Sequence, residues 1–413
     1  MNKNNTTIPK ADLVIVGGGI FGCAIAYYFS RNNPDKKVIL LERNELNNAA
    51  TSRAAALMTM VRSKRSYIPL TIETFKVAKE MERELGETLD FKNSGMLHVA
   101  ASDAKVKALE ELMQIAKEYN QEAYYISPEE ARKKVPWLKT DEALKIGFVP
   151  NEAYCDPYML GTFFARCAKR QGAEIRLGVE ALGLLGEGDK IVGVKTSEGN
   201  IHTECVIDAA GVWAPILANE AGVGLPMAPV RSQYWITERS ELFPVDSPMV
   251  LLPDAQAYAR PEGGSLLFGI RESNSVVESP KKVPRDISDF VFSDDDGMND
   301  LIENGEKLAR FFPGFYDIGI KYYVAGFSGY TPDSQLVLGE IPGVKGLLIA
   351  SGCCGAGISV AGGVGLGMAE LAAGRINPFD YSEFSVKRFG EIDSFSNDWL
   401  ERCAAARSNK VSG

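Results

Sequence analysis

The sequence has few of the residues that bind metals or build disulfide frameworks. Its 413 residues include two histidines, His98 and His202, and seven cysteines that form no C-x-x-C pair. Zinc sites and disulfide scaffolds need such clusters, so the composition argues against both. The adjacent Cys353 and Cys354 lack further ligands for a metal, and a disulfide between neighbours is strained. We predict no metal site, and a redox role for this pair stays open.

Basic segments, an export signal and long uninterrupted apolar runs are also missing. The formal net charge is −9 and no run of five or six basic residues occurs, which argues against a nucleic-acid partner. The first apolar run, at 13–16, is only strand length. The most apolar long window, 346–374, is interrupted by many glycines and by Glu370, so it is a poor transmembrane segment. We predict a cytoplasmic protein with a small-molecule partner.

A glycine-rich turn joins a strand to a helix near the beginning of the chain. The segment "DLVIVGGGIFGCAIAYYFS" and the following residues predict a strand at 13–16, a helix at about 21–31 and a second strand at 38–41. This strand-helix-strand unit is about thirty residues long, which is the length that a dinucleotide site requires.

Four residues in this unit carry the chemistry of such a site. Gly17-x-Gly19-x-x-Gly22 lies between the strand and the helix. Glycines there allow a tight turn, close approach of a pyrophosphate and close packing of helix on strand. Glu42 ends the second strand, where a carboxylate can accept hydrogen bonds from ribose hydroxyls. We therefore predict a dinucleotide site.

Two later segments favour FAD over NAD. The segment "ECVIDAAGVWAP", at 204–215, predicts a buried strand that ends in small residues, as in flavoprotein folds that return to the dinucleotide. The segment 351–374 predicts a glycine-rich loop and a helix. The N-terminus of a helix carries partial positive charge, which could stabilise the negative charge of a reduced flavin.

With these segments, the sequence resembles the D-amino-acid oxidase superfamily of FAD-dependent oxidoreductases, especially its glycine oxidase and sarcosine oxidase branch. The resemblance covers roughly residues 10–390 and includes "MVRSKRSY", "VIDAAGVWA", "YARPEGGSLLFG", "YTPDSQLVLGEIPGVKGLLIASG" and "GAGISVAGGVG". It implies an α/β fold with a Rossmann-type FAD-binding domain and an inserted antiparallel-sheet α+β substrate domain. We predict a discontinuous FAD-binding domain at 10–88, 152–228 and 326–390, a substrate-binding domain at 89–151 and 229–325, and a C-terminal tail at 391–413.

The glycine turn, the two later segments and the resemblance together predict the residues that contact the cofactor. These are Gly17, Gly19, Ile20, Phe21, Gly22, Glu42, Arg43, Ser52, Arg53, Val179, Ala210, Gly211, Trp213, Gly352, Gly355, Gly357 and Ile358.

The resemblance also implies a substrate pocket. Arg62 matches the arginine that pairs with the substrate carboxylate in sarcosine oxidases, a task that suits a planar guanidinium. Tyr258 matches a tyrosine that lines the pocket in both branches, and Arg271 falls where sarcosine oxidases have a histidine. Tyr330 is a further candidate for the wall of the site.

Four positions depart from the family pattern. Ser328 stands where relatives have a carboxylate-binding arginine or a flavin-linking cysteine, so we predict non-covalent FAD. Leu267 and Ser359 stand where sarcosine oxidases have lysines, one of them thought to activate oxygen. Gly355 replaces an arginine of glycine oxidase-like proteins. The electron acceptor is therefore left open between oxygen, a quinone and a redox protein.

The leading hypothesis is an FAD enzyme that oxidises the C–N bond of a small amino acid or N-alkyl amino acid to an imine by hydride transfer to flavin. Such a transfer needs no histidine base. The alternatives are an FAD-dependent 2-hydroxy-acid dehydrogenase and a flavoprotein subunit of a larger amine dehydrogenase complex. The sequence leaves the substrate and the oligomeric state open, with a homo-oligomer among the options.

Overall fold

The computed structural model of the chain describes residues 9–286 and 292–410. None of the helices in these ranges is both long and apolar enough to cross a membrane. The α-helices there are α1 (Ile20–Asn32), α2 (Ile68–Leu85), α3 (Asp103–Glu118), α4 (Pro128–Lys134), α5 (Pro157–Arg170), α6 (Ala214–Glu220), α7 (Asp294–Ala309), α8 (Gly357–Ala372) and α9 (Asn397–Ser408).

The described residues form two larger and two smaller sheets, built from the following strands. They are β1 (Leu13–Val16), β2 (Val38–Glu42), β3 (Leu57–Met58), β4 (Met96–Ala100), β5 (Tyr124–Tyr125), β6 (Lys145–Val149), β7 (Ala153–Tyr154), β8 (Glu174–Leu177), β9 (Ala181–Glu187), β10 (Lys190–Thr196), β11 (Gly199–His202), β12 (Val206–Asp208), β13 (Ala228–Thr237), β14 (Met249–Leu252), β15 (Ala257–Glu262), β16 (Ser265–Ile270), β17 (Ile320–Tyr330), β18 (Val337–Glu340) and β19 (Leu347–Ser351).

The six-stranded sheet holds the predicted strand-helix-strand unit. Its order is β18-β19-β12-β1-β2-β8, and its pairs are parallel except for β18 with β19. Strand β1 is buried along its length and lies between β2 and β12. Helices α1, α5 and α8 pack into one apolar core on this sheet, as expected for central strands that are apolar on both faces. The carboxyl ends of β1, β2 and β12 therefore meet at one edge.

The eight-stranded sheet, in the order β17-β13-β16-β15-β14-β4-β6-β5, forms the second large layer. The prediction of an antiparallel sheet is right for six of its seven neighbouring pairs and wrong for β14 with β4, which run parallel. These two strands are far apart in the chain, so no short turn forces them to be antiparallel.

Strand β17 links the two layers. It begins at the edge of the eight-stranded sheet and continues without a break through residue 326 to Tyr330, which is buried. Helix α9 lies in the segment predicted as a tail, and it packs against β13 and β17 through Trp399 and Cys403. The domain boundaries stay a prediction.

Candidate active site

A cavity of about 620 Å³ extends between the two layers. It begins at the carboxyl ends of β1, β2 and β12, passes the N-terminus of α8 and reaches side chains of β13, β15 and β17. A site at the carboxyl ends of parallel strands is the usual place for a ligand in such sheets.

The glycine turn forms the first wall of this cavity. Gly17 has a φ of +106°, and a Cβ at this position would lie 2.5 Å from the carbonyl oxygen of Ala209. Gly19 precedes α1 without a side-chain cap, and the first turn of α1 contains no acidic residue. Apart from Ile20 N–H, which donates to Thr51 Oγ1, the backbone N–H groups of the first turn are therefore available to an anion such as a pyrophosphate.

Glu42 lies beside this turn, at the end of β2. Its Oε2 accepts a hydrogen bond of 2.7 Å from the backbone N–H of Gly18, and its Oε1 accepts one of 2.8 Å from Asn44. A carboxylate has lone pairs for further donors. The carboxylate is thus held at the cavity with capacity for ribose hydroxyls.

Arg43 and Trp213 form a flat wall next to Glu42. The Arg43 guanidinium lies 4.2 Å above the Trp213 ring, and burial lowers the pKa of Arg43. The Trp213 Nε1 donates to the Val283 carbonyl at 3.4 Å, which fixes the ring. Stacked flat groups of this kind suit an aromatic base.

The N-terminus of α8 lines the cavity at some distance along the chain from the glycine turn. Gly357 and Ile358 of its first turn face the cavity, and Ala356 caps the helix without a side-chain hydrogen bond. Gly352, with a φ of +62°, brings the preceding backbone to the same surface. The cavity thus touches two helix N-termini, which fits a dinucleotide with a pyrophosphate and an electron-accepting ring.

The structure brings most of the predicted cofactor residues to this cavity. Gly22 and Ser52 do not line it. A Cβ at Gly22 would lie 1.9 Å from the Gly17 carbonyl oxygen, so Gly22 serves packing of the helix on the turn. The Ser52 hydroxyl turns back to the carbonyls of 48 and 49, while the neighbouring Thr51 lines the cavity and accepts from Ile20 N–H at 3.1 Å.

Asn47 also lines the cavity and was missed by the sequence reasoning. Its side chain is buried, and its Nδ2 and Oδ1 have no hydrogen-bond partner among the described residues. Buried amides without partners are costly, and this one packs against α5, where a Cβ at Gly161 would lie 2.2 Å from Asn47 Oδ1. The backbone of Asn47 is left-handed, with a φ of 59°. An asparagine shortly after the end of a strand is the signal that the sequence offers for such a loop.

At the other end of the cavity, Arg271 follows β16 and is buried. Its guanidinium makes no hydrogen bond or ion pair with any residue in the described ranges. Burial and, to a smaller extent, Arg407 lower the pKa of Arg271 to about 10, while Tyr330 and Tyr258 oppose this effect. A buried guanidinium without an anion is unfavourable, so this end is built for an anionic ligand.

Tyr258 faces the same part of the cavity from β15. It pairs across the sheet with Gly269, and a Cβ there would lie 2.5 Å from the Tyr258 Oη. The missing side chain at 269 leaves the space that the tyrosine ring occupies. Burial raises the pKa of Tyr258 to about 12, against the effect of Arg407, so the phenol stays protonated and can donate a hydrogen bond.

Arg62 lines the cavity close to α8, but most of its donors are used. Its Nε donates to the Thr59 carbonyl at 3.0 Å, and its Nη2 donates to Thr59 and, at 3.1 Å, to Ser359 Oγ. Burial lowers the pKa of Arg62 to about 10, and Glu152 opposes this. Only Nη1 is left without a hydrogen bond to a described residue.

The predicted tail brings two further cations to the cavity, and the sequence reasoning missed both. Arg407 is buried near the end of α9, and Lys410 follows the helix. Both line the cavity together with Tyr330 and Arg271. These two residues are far along the chain from the rest of the pocket, so no local sequence pattern indicated that they would line it.

Two residues that depart from the family pattern, Ser328 and Leu267, have the following surroundings. Ser328 Oγ lies 3.1 Å from Cys353 Sγ, and all seven cysteines are free thiols. Leu267 is buried in β16. Neither His98 nor His202 lines the cavity, and His98 is instead buried 3.7 Å from the carboxylate of Glu152.

Relatives with assigned activities resemble most of the chain. Human mitochondrial sarcosine dehydrogenase is 29% identical over 391 residues, covering 92% of this chain and 41% of that protein. Human mitochondrial dimethylglycine dehydrogenase is 28% identical over 390 residues, covering 92% of this chain and 45% of that protein. The chain thus spans less than half the length of these relatives.

A solved structure and a family profile extend the comparison. The crystal structure of L-proline dehydrogenase from P. horikoshii is 26% identical with a TM-score of 0.82, over 93% of this chain and 100% of that chain. The profile of the family described as "DAO: FAD dependent oxidoreductase" matches residues 12–371. FAD is therefore the dinucleotide for which this cavity is built, and the chain belongs to the DAO family of FAD-dependent oxidoreductases.

Proposed function

We propose that this protein oxidises the C–N bond of a small amino acid or N-alkyl amino acid. The observation that carries the proposal is the buried Arg271 guanidinium, which lacks an anion and faces a cavity shared with the dinucleotide turn. A carboxylate is the substrate group that a planar guanidinium binds best. The two dehydrogenase relatives, named for N-methyl amino acids, support the same class.

The residues of the pocket position the substrate. Arg271 binds its carboxylate, and Arg62 adds its one free nitrogen from the α8 side. Tyr258 donates a hydrogen bond and, with Tyr330, excludes water from the reacting carbon. FAD, when bound, supplies the hydride acceptor. Since neither histidine lines the cavity, the amine loses its proton to water before the transfer rather than to a histidine.

The cofactor is held without a covalent link in this proposal. Ser328, at a position where relatives attach flavin, carries a hydroxyl that contacts Cys353. The glycine turn, Glu42 and Arg43 hold the dinucleotide end, and the first turn of α8 lies at the flavin end. Unfolding in acid should therefore release all the flavin into the supernatant, and flavin that stays with the precipitate would contradict this part of the proposal.

The electron acceptor in this proposal is a quinone or a redox protein rather than oxygen. Leu267 occupies the position of the oxygen-activating lysine, and its apolar side chain is buried. The relatives named above as dehydrogenases support this assignment. Stopped-flow reoxidation of the reduced flavin should be much faster with an artificial dye acceptor than with dissolved oxygen, and equal rates would contradict this assignment.

Location in the cytoplasm stays a prediction.

Anaerobic mixing with a panel of substrates tests the reaction itself. Glycine, sarcosine, dimethylglycine, proline and D-amino acids are added to the purified flavoprotein, and at least one class should bleach the flavin absorbance. Bleaching by 2-hydroxy acids alone would replace the proposal with a hydroxy-acid dehydrogenase.

A further inference from the structure

The last helix of the described chain brings two cations into the substrate end of the cavity. Helix α9 is anchored by Trp399 and Cys403 in an apolar cluster with residues of β13 and β17. The Ser408 hydroxyl bonds to Ser275 Oγ at 2.9 Å, which fixes the end of the helix to the segment that follows Arg271. Arg407 and Lys410 are therefore held in place.

Arg407 has donors that the protein does not use. Its Nη2 lies 3.6 Å from Glu272 Oε2, and its Nε and Nη1 are buried without a hydrogen-bond partner among the described residues. The residue is 5% exposed and borders the cavity. A guanidinium with two unpaired nitrogens at this depth points to a missing acceptor.

Lys410 also has spare donors, and it fills a gap left by Gly355. Its Nζ donates to the Cys354 carbonyl at 3.0 Å, which uses one of three possible donors. A Cβ at Gly355 would lie 3.4 Å from this nitrogen and 2.8 Å from Tyr330 Oη. The Lys410 amino group therefore occupies the region into which a side chain at 355 would extend, and burial, with Arg271 nearby, holds its pKa well below the usual value.

The charges at this end are not balanced. Arg271, Arg407 and Lys410 line it, while the carboxylates lining the cavity, Glu42, Glu45, Glu180 and Glu220, belong to β2, β9, α6 and their neighbouring loops at the nucleotide end. Glu272 faces Arg407 from outside the lining. Buried cations need anionic partners; Glu272 supplies one for Arg407 and a substrate carboxylate supplies one for Arg271, so Lys410 is left in excess.

We propose that Arg407 and Lys410 form a second anion subsite, so that the substrate is an amine carrying two carboxylates. Arg271 binds one carboxylate, and Arg407 and Lys410 bind the other beside Tyr330. This inference rests on the proposed function for the amine, and it adds the substrate class.

Binding of matched ligands to the FAD-loaded protein tests the subsite. Sarcosine is compared by calorimetry with iminodiacetate and N-methylaspartate, which add one carboxylate, and acetate is compared with malonate. At least one dicarboxylate should bind roughly tenfold or more tightly than its monocarboxylate counterpart, as expected for one additional charged hydrogen bond. Equal affinities for mono- and dicarboxylates in every pair would overturn the proposal.

Variants locate the effect. Lys410→Met and Arg407→Gln should lower the preference for the dicarboxylate roughly tenfold, whereas Arg402→Met, on an exposed part of the same helix, should keep it. An equal loss for mono- and dicarboxylates in Lys410→Met would overturn the second subsite. Arg407→Gln leaves Glu272 without its cation. If this variant fails to fold, the binding measurements on Lys410→Met decide the question.

The same measurements separate this inference from the proposed function. Acetate and malonate do not react, so a malonate preference lost in Lys410→Met supports the subsite even if no amine bleaches the flavin. Bleaching by sarcosine without any dicarboxylate preference supports the proposed function and removes the subsite.

Discussion

Glu42 Oε2 accepts a hydrogen bond of 2.7 Å from the backbone N–H of Gly18. This contact joins the end of β2 to the glycine turn and orients the carboxylate at the cavity. Backbone hydrogen bonds from Gly17 to Leu41 and from Asn47 to Gly18 hold the same turn, so we expect the loss of Glu42 to affect the cofactor more than the turn.

Replacement of Glu42 by alanine should weaken FAD binding by roughly 10- to 100-fold, because about 1.5–3 kcal/mol accompanies a charged hydrogen bond. Fluorescence titration of the apoprotein with FAD measures this change. Glu340→Ala is the matched control, since Glu340 also ends a strand of the same sheet but is exposed and lies outside the cavity. Equal FAD affinity of the two variants would remove Glu42 from this role.

Replacement of Arg271 by alanine should raise KM far more than it lowers kcat. Loss of one partner from a buried charge pair costs about 2–5 kcal/mol, which corresponds to a change of roughly 30-fold or more. Arg271→Lys should recover part of the affinity because the charge returns without the bidentate geometry. Steady-state kinetics with the best amine measure both, and exposed Arg239→Ala is the control. An unchanged KM in Arg271→Ala would exclude it as the carboxylate ligand.

Alanine at Gly355 should be more destabilising than alanine at Gly86. Both glycines have a similar φ, +75° and +71°, so both variants carry the backbone strain of about 1–2 kcal/mol. A Cβ at 355 also meets Tyr330 Oη at 2.8 Å, whereas nothing lies within 4 Å at 86. Denaturant unfolding should show the larger loss for Gly355→Ala, together with weaker substrate binding. Equal losses would mean that the space beside Lys410 is not tightly packed.

Asp208 should make the protein less stable as the pH rises. Burial raises the pKa of this carboxyl from 3.8 to about 7, although the N–H of Ala210 opposes the shift. The folded state then holds a proton that the unfolded state has lost between these two values, so the free energy of unfolding falls as the pH rises from about 4 to about 7.

Unfolding in urea at pH 5 and pH 7.5 measures this effect. The native protein should lose on the order of 1–3 kcal/mol between these values through Asp208. Asp208→Asn keeps an acceptor for Ala210 and has no proton to lose, so its decline should be smaller by that amount. The same decline in both proteins would show that another group causes it.

The nucleotide half of the site could be predicted because its signals are local. The glycine turn, β1, α1 and β2 lie within 13–42, and the predicted bounds agree with the structure to within one residue at each end. Apolar runs and glycine spacing act over a few residues, which a sequence displays directly. The family relationship was readable for the same reason.

The substrate half was only partly predictable because its contacts join distant segments. Lys410 reaches Cys354 across 56 residues, and Ser408 reaches Ser275 across 133. No periodic pattern reports which side of α9 faces a cavity formed by other strands. Arg62 lines the cavity, and its hydrogen bonds to Thr59 and Ser359 depend on the folded backbone. Pairing of β4 with β14 was hidden for the same reason.

The position of Lys410 in the chain also sets the order in which the pocket forms during synthesis. Glu42 and Lys410 are separated by more than 350 residues, so a ribosome needs roughly 20 to 70 seconds to pass from one to the other. The growing chain exposes its glycine turn early, while the wall supplied by α9 is added much later. A nascent chain therefore lacks Arg407 and Lys410 at the cavity until α9 has left the ribosome.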